Sequence, residues 1–184
     1  MFNDEQLASL IHEEPIQTGL PFDPRDDKSI RRFYEPLVRK IEMDGGLSSR
    51  VEWNHYGSGY ASFIDAWFYP ADGRSRVSFR NEHYVGLFVL LSRLSRYFVI
   101  GQGEKTWSRD GGSSYMPSFD SIDTVDHPAL AGHVIPVASI LTDAGMVRMK
   151  RDDLSQLLPE RFGIPGILSS PPFRHFDALF HWED

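Results

Sequence analysis

The sequence contains no cysteine among its 184 residues. Disulfide bonds, thiolate zinc sites, iron–sulfur clusters and cysteine nucleophiles are therefore all excluded. Low-complexity segments and internal repeats are also missing, and hydrophobic residues make up 41% of the chain, as in ordinary globular proteins. A chain of this length can bury a core without covalent crosslinks, and its 13% aromatic residues predict a core rich in rings.

Basic residues are fewer than acidic residues. Nineteen Lys and Arg residues stand against 26 Asp and Glu residues, which gives a formal net charge of −7. Proteins that bind nucleic acids or anionic membranes normally present a basic surface, so we expect neither as a partner. A basic protein partner is favoured instead, because opposite charges accelerate encounter.

No long hydrophobic run is present. The longest extends only from Tyr84 to Leu91, far short of the roughly 20 residues with which a helix spans a bilayer. The first residues, Met1 to Gln6, are acidic at positions 4 and 5 and lack the apolar stretch of a signal peptide. We therefore expect a cytoplasmic protein.

Complete catalytic motifs are missing as well. Residues Gly101 to Thr106 follow a predicted strand and end in Lys-Thr, but they lack the spacing of a phosphate-binding loop, and Glu104 would repel phosphate. Gly111 to Ser114 predicts a loop, and no Gly-x-Ser-x-Gly elbow supports a serine hydrolase. No catalytic residue is predicted.

Residues 1–46 predict helices. Asn3 suits the N-cap of a short helix that ends before Pro15, because acidic residues follow it. A second helix is predicted from the helical spacing of Ile30, Phe33, Tyr34, Leu37, Val38 and Ile41. Gly45 and Gly46 end this helix, and Pro36 within it predicts a kink or two abutting helices.

Residues 47–109 predict the core of a sheet. Alternating or aromatic-rich segments at 49–55, 61–69 and 74–79, with a turn at Pro70 to Gly73, indicate an antiparallel meander. A central strand is predicted from Tyr97 to Gly101. Residues 84–95 fit either a helix, through the spacing of Leu87, Leu90, Leu91 and Leu94, or a buried strand, and we favour the helix.

The rest of the chain predicts a long connection followed by mixed structure. Residues 101–128 are rich in Gly, Ser and Asp and include an acidic loop at 110–128. Within 129–184, helices are predicted at 135–142 and from Asp152 to Leu158, with a short strand at 146–149 and a closing strand at 175–182. We therefore expect a single α+β domain, residues 1–184, with N-terminal helices packed on a mainly antiparallel sheet.

Two groups of polar residues have donor atoms that suit a metal. The first is Asp120, Asp123, Asp126 and His127, and the second is His175, Asp177 and His181. The first group lacks the spacing of a calcium loop, which favours a charged surface. The second group lies mostly on one side of the predicted closing strand, where it would hold zinc or iron or would form a polar outer face. Nothing else in the sequence completes either site, so no cofactor is predicted.

Aromatic rings also surround Gly57-Ser58-Gly59. They belong to His55, Tyr56, Tyr60 and Trp67. Tyr and Trp are frequent anchors of protein interfaces, so a hairpin tip could present them to a partner. Because aromatic residues are also ordinary on sheets, we favour a sheet-face role.

The stretch from Asp110 to Val147 contains aspartates but no Lys or Arg. It predicts either a solvated loop or a docking surface for a cationic partner. In its small size, acidity and α+β character the chain resembles the cytoplasmic immunity proteins of bacterial toxin systems. The resemblance implies that it binds a basic toxin domain and blocks that domain's active site. The expected partner-binding residues are Asp120, Asp123 and Asp126 as a charged rim, with Trp107, Tyr115 and Phe119 as anchors.

The alternative is a small metal-dependent enzyme or a ligand-binding domain. Its pocket would be built from the sheet and would use His127 or the group His175, Asp177 and His181. A stoichiometric metal in the purified protein would favour this alternative, whereas a toxin encoded beside the gene would favour the immunity protein. The oligomeric state is not predicted.

Overall fold

The structure is a computed structural model that describes residues 2–57, 59–78, 82–108, 113–115, 117–166 and 170–183. Its helices are α1 (Asp4–Ile11), α2 (Asp27–Gly45), α3 (Pro128–Ala131), α4 (Val134–Asp143), α5 (Arg151–Leu154) and α6 (His175–Leu179). Its strands are β1 (Leu47–Glu52), β2 (Tyr60–Ala61), β3 (Phe63–Pro70), β4 (Arg76–Ser78), β5 (Glu82–Ser92), β6 (Tyr97–Trp107), β7 (Val147–Arg148) and β8 (Trp182–Glu183). Phe79, Asp110, Gly111 and Gly112, which the sequence placed in a strand and in loops, lie outside the described ranges.

The main sheet has the strand order β1-β3-β5-β6-β7, and β4 also pairs with β5. Its pairings are antiparallel except that between β6 and β7. A separate two-stranded sheet joins β2 to β8. The prediction of an α+β domain with N-terminal helices and a mainly antiparallel sheet is confirmed. The predicted meander is wrong in one respect, because β4 pairs with β5 and not with β3 within the described ranges.

Helices cover both faces of the main sheet. On the face that we call the α2/α4 face, Ile64 and Phe68 of β3 pack in a core with residues of α2, α3 and α4. On the opposite face, the α1/α6 face, Phe63 and Trp67 of the same strand pack with residues of α1, α5 and α6. Successive side chains of a strand point to opposite faces, so the central strands are apolar on both sides and both cores share one sheet.

The two N-terminal helices follow their local signals. The side chain of Asn3 accepts a hydrogen bond from the amide of Gln6 at 2.9 Å, so it caps α1 as predicted. Helix α2 ends at Gly46, whose φ of 60° is a left-handed conformation that glycine adopts without strain. It is a single helix that runs through Pro36. The alternative of two abutting helices is therefore wrong.

The favoured helix at residues 84–95 is also wrong. These residues belong largely to strand β5, which lies between β3 and β6. Leu87 and Leu91 enter the core of the α2/α4 face, while Leu90 and Leu94 enter that of the α1/α6 face. A strand that is covered on both sides needs apolar residues at every position, and such a run matches helical spacing by coincidence.

The predicted closing strand at 175–182 is a helix over most of its length. Asp177 accepts a hydrogen bond from the Arg174 amide at 2.6 Å, which caps the first turn of α6. One turn apart, Phe176 and Phe180 contact each other with ring centroids 5.5 Å apart. Alternating positions such as these also satisfy the i, i+4 spacing of a helix. Only Trp182 and Glu183 pair as a strand, in β8.

The long connection predicted at 101–128 begins later than expected. Strand β6 continues to Trp107, and residues 101–107 pair with residues 82–88 of β5. The glycines at 101 and 103 therefore lie inside a strand. Farther on, α4 and β7 confirm the helix at 135–142 and the strand at 146–149, whereas the helix predicted from Asp152 to Leu158 is limited to α5.

Candidate binding site

Two glycines on neighbouring strands create a hollow in the α1/α6 face. Gly86 of β5 and Gly103 of β6 are direct cross-strand partners. A Cβ atom at Gly86 would lie 2.5 Å from Nε1 of Trp67, and one at Gly103 would lie 2.7 Å from Cε2 of Tyr115. The missing side chains thus make room for these two rings, whose centroids lie 4.7 Å apart in an edge-on contact. The hollow therefore positions the rings of Trp67 and Tyr115 beside the polar residues of β3 and β6.

An ion pair is buried next to these rings. Nζ of Lys105 on β6 lies 3.0 Å from Oδ2 of Asp65 on β3, and the two side chains are 6% and 0% exposed. The ammonium also lies over the rings of Trp67, Trp107 and Tyr115, at 5.5, 5.7 and 5.3 Å from their centroids. The π faces of such rings attract cations, so the rings and the carboxylate together form a cage for a positive charge.

Tyr56 joins this cluster from a loop. Its hydroxyl donates a hydrogen bond of 2.9 Å to Oδ2 of Asp65. Burial raises the pKa of the Tyr56 hydroxyl well above its usual range, and the negative charges of Asp65 and Glu52 raise that pKa further. The phenol therefore stays protonated and remains a donor to Asp65.

The backbone that carries Tyr56 is strained. His55 and Tyr56 have φ angles of 54° and 57°, in the left-handed region that bulky residues rarely adopt. The strained turn directs neighbouring side chains to two polar clusters. Tyr56 reaches Asp65, whereas Nε2 of His55 lies 3.5 Å from a carboxylate oxygen of Asp27, which also pairs with Arg93. Strain of this kind persists where the surrounding structure holds it, often at functional sites.

Three buried polar atoms of the cluster have no hydrogen-bond partner within the described residues. They are Oδ1 of Asp65, Nε1 of Trp67 and the hydroxyl of Tyr115. A buried polar atom that lacks a partner costs about 1–3 kcal/mol. The cluster is therefore not built for maximum stability.

A cleft opens beside the ion pair. Its volume is about 360 Å³, and it is lined by Arg50, Val51, Glu52, Tyr56, Lys105, Trp107 and Ser113. The guanidinium of Arg50 pairs with Glu82 and stacks on Trp107, 4.3 Å from the ring centroid. Two aromatic walls and several polar groups around a space of this size are the usual composition of a binding site.

The sequence-predicted anchors Trp107 and Tyr115 both belong to this region. Trp107 lines the cleft, and Tyr115 lies behind it against Trp67, with 9% of its surface exposed. Trp67 is completely buried, which agrees with the favoured sheet-face role and excludes an exposed hairpin tip for this residue. Tyr115 thus belongs to the buried cluster beside the cleft, while Trp107 lines the cleft itself, where an incoming group can reach it.

The other predicted partner-binding residues form a second group along the edge of β6. Asp123 accepts hydrogen bonds from Nη2 of Arg148 at 2.7 Å and from the Arg151 amide at 2.8 Å, and it lies 3.4 Å from Nζ of Lys150. Asp120 pairs with Nη2 of Arg151 at 3.0 Å. Residues 148–151 therefore supply the cations that the acidic stretch itself lacks, which the charge pattern along the sequence could not reveal.

Phe119 and Asp126 also have partners within the domain. The Phe119 ring lies between the guanidinium groups of Arg151 and Arg174, at 5.2 and 4.8 Å. Asp126 accepts a hydrogen bond of 2.6 Å from Nε2 of Gln102. Neither residue lines the cleft.

The predicted metal ligands have structural partners. The ring of His175 stacks on Phe2, His181 bonds through Nδ1 to the Ala178 carbonyl at 3.1 Å, and Asp177 caps α6. Burial lowers the pKa of His175 and of His181. His127 accepts a hydrogen bond from the Ala129 amide at the start of α3. Within the described ranges, no three His, Asp or Glu side chains are grouped so that they could hold a metal ion.

Comparison of the chain with protein-family models, curated proteins and solved structures found no match. None of the helices in the described ranges combines the length and the apolarity needed to cross a bilayer. The function therefore has to be argued from the site itself.

Asp65 and Lys105 were not predicted as members of the site. One signal was present, because Asp65 is the only charged residue between Phe63 and Tyr69 and alternation places it on the same face as Phe63 and Trp67. A charge in such a position is buried and needs a partner. The partner, Lys105, is separated from it by 40 positions and lay within the predicted connection.

Proposed function

We propose that this chain is a binding protein that inhibits a cationic protein, in the manner of the immunity proteins that it resembles. The observation that carries the proposal is the exposed carboxylate of Asp120. Its side chain is 83% exposed, and its partner Arg151 is itself 45% exposed. An exposed ion pair of this kind contributes only about 0–1 kcal/mol, so a partner's cation can replace Arg151 at little cost.

The long-range charge supports the same proposal. The net charge of −7 attracts a cationic domain over distances of about a Debye length. Asp126 adds a second exposed carboxylate, whereas Asp123 is tied to Arg148, Lys150 and Arg151 and serves to hold the surface together. In this proposal Asp120 and Asp126 meet the partner, and Asp123 holds the surrounding surface in place.

The direct test is rescue of a cell from a toxin. The chain is expressed together with the toxin domain encoded beside its gene, and growth is measured with and without the chain. We expect growth to be restored and the two proteins to elute as one complex in size-exclusion chromatography. Absence of both rescue and complex would overturn the proposal.

A charge variant tests the surface. Replacing Asp120 and Asp126 by Asn removes two charges, and the Asn oxygen at 126 can still accept the bond from Gln102. We expect slower association, by a factor on the order of 2–10 at low salt, with little change in dissociation, because rim charges act mainly on the on-rate. The matched control replaces Asp72 and Asp143, which leaves this surface intact. Equal association rates for the two double variants would show that Asp120 and Asp126 do not belong to the interface.

A second candidate function is the binding of a small ligand in the cleft, because a space of about 360 Å³ with aromatic and polar walls is present there. It is tested by thermal shift of the protein with a panel of metabolites, and the variant Trp107→Ala is the control. A ligand that stabilises the native protein but not the variant would support this candidate, and failure of the whole panel would count against it.

A further inference from the structure

We infer that the cleft receives an arginine side chain of the cationic partner. The inference rests on the proposed function and assigns a specific contact to it. It is based on the charges around the cleft, on its aromatic walls and on an open carboxylate oxygen.

Among the described residues, each of the two cations that line the cleft has a carboxylate partner. Asp65 cancels the charge of Lys105, and Glu82 cancels that of Arg50. The carboxylate of Glu52 then remains without a cation among the described residues. Its Oε1 atom accepts a hydrogen bond of 2.7 Å from the Asn54 amide, and no described residue donates to Oε2. A cation that enters the cleft therefore finds an available acceptor in Glu52.

One wall of the cleft, the ring of Trp107, already binds two cations of the chain itself. Lys105 lies over three rings, and Arg50 stacks on Trp107. These internal contacts show that the rings have the spacing and orientation that a positive group needs. Tyr56 and Trp107 line the cleft, so an incoming cation meets the same chemistry as the two internal ones.

A guanidinium fits the site better than an ammonium does. It is planar, stacks on aromatic rings and presents several N–H donors to a carboxylate, whereas an ammonium is compact and strongly hydrated. Because Glu52, Tyr56 and Trp107 all line the cleft, it can stack the plane of a guanidinium and accept its hydrogen bonds at the same time. We therefore assign arginine, and not lysine, to the cleft.

The test uses the tripeptide Gly-Arg-Gly and its analogue Gly-citrulline-Gly, in which a neutral urea group replaces the guanidinium. Each peptide is titrated into the ¹⁵N-labelled protein while the indole N–H signals of Trp107 and Trp53 are followed by NMR. We expect saturable shifts of Trp107 with Gly-Arg-Gly, at least about tenfold weaker binding of the citrulline peptide, and little change at Trp53. Equal binding of the two peptides, or binding of neither, would overturn the inference.

The variant Glu52→Gln identifies the acceptor. Gln keeps an oxygen for the Asn54 amide, so the loop is preserved, but the negative charge is lost. We expect arginine-peptide binding to fall by about tenfold, to a level close to that of the citrulline peptide. The matched control is Glu104→Gln, which removes one carboxylate from the opposite face of the sheet. If the two variants bind the peptide equally, Glu52 is not the acceptor and the inference fails.

Failure of this inference can be told apart from failure of the proposed function. If the chain neutralises its toxin and Glu52→Gln leaves the affinity of that complex unchanged, the inference is wrong and the proposed function stands. If no toxin is neutralised while the arginine peptide binds selectively, the proposed function is wrong, and the cleft is a receptor for a free guanidinium compound.

Discussion

The ion pair between Lys105 and Asp65 makes the sharpest prediction about stability. Replacing Lys105 by Met keeps the length and bulk of the side chain but removes its charge. Asp65 would then remain completely buried, with the Tyr56 hydroxyl as its only described donor. Removal of one partner from a buried pair costs about 3–5 kcal/mol, because the other charge stays uncompensated. For a chain of this size, the melting temperature should fall by roughly 6–20 °C.

A double variant separates the ion pair from simple packing. In Lys105→Met combined with Asp65→Asn, no charge is left in the cluster, and the Asn oxygen can still accept the bond from Tyr56. We expect this protein to recover most of the lost stability, since replacement of a whole buried pair is often neutral or stabilising. The free energy of unfolding is measured by urea titration, with tryptophan fluorescence and circular dichroism as independent probes.

Two results would refute this reasoning. If Lys105→Met lowers the free energy of unfolding by less than about 1 kcal/mol, the pair contributes no more than an exposed ion pair does. That result would show that water reaches Asp65. A double variant as unstable as the single one would show that Lys105 stabilises the protein through its stem and its aromatic contacts, and not through the carboxylate.

The remaining predictions concern packing and pH. Gly86→Ala should cost about 1–3 kcal/mol through overpacking, since its Cβ would lie 2.5 Å from Nε1 of Trp67. The control is Gly132→Ala, because no heavy atom lies within 4 Å of a Cβ atom at that position. Equal urea midpoints for the two variants would show that Gly86 is not needed to make room for Trp67. Phe180→Ala should cost about 3–5 kcal/mol, and an unchanged calorimetric melting curve would show that the end of α6 is not packed. Because burial lowers the pKa of His181 below 6.5, the unfolded chain binds a proton that the folded one excludes, so stability should fall as the pH drops below about 6.5. His181→Gln should make this decline shallower, as measured by unfolding midpoints on either side of that pH.

Local signals predicted the two N-terminal helices well. The apolar spacing of Ile30 to Ile41 and the glycines at 45 and 46 define α2, because one face of this helix is buried and the other is exposed. Apolar periodicity did not predict the secondary structure of strands that are buried on both faces. From Tyr84 to Leu91, β5 has no charged residue and is apolar apart from Gly86, so periodicity no longer distinguishes a strand from a helix, and only the pairing with β3 and β6 decides.

The candidate site was predicted in part. Trp107 and Tyr115 were predicted as anchors, and the structure places Trp107 in the lining of the cleft and Tyr115 against Trp67 beside it. The ion pair was missed because it joins β3 to β6, and nothing local to either strand indicates its partner. The balance of charge around Asp123 was missed for the same reason, since its cations come from residues 148–151.

The cores on the two faces of the sheet are completed at different stages of synthesis. The buried members of the α2/α4 core end at Met146 in the sequence, whereas those of the α1/α6 core extend to Phe180. Because ribosomes add only about 5–20 residues per second, the α2/α4 core can assemble before α5 and α6 have been added to the opposite side of the sheet.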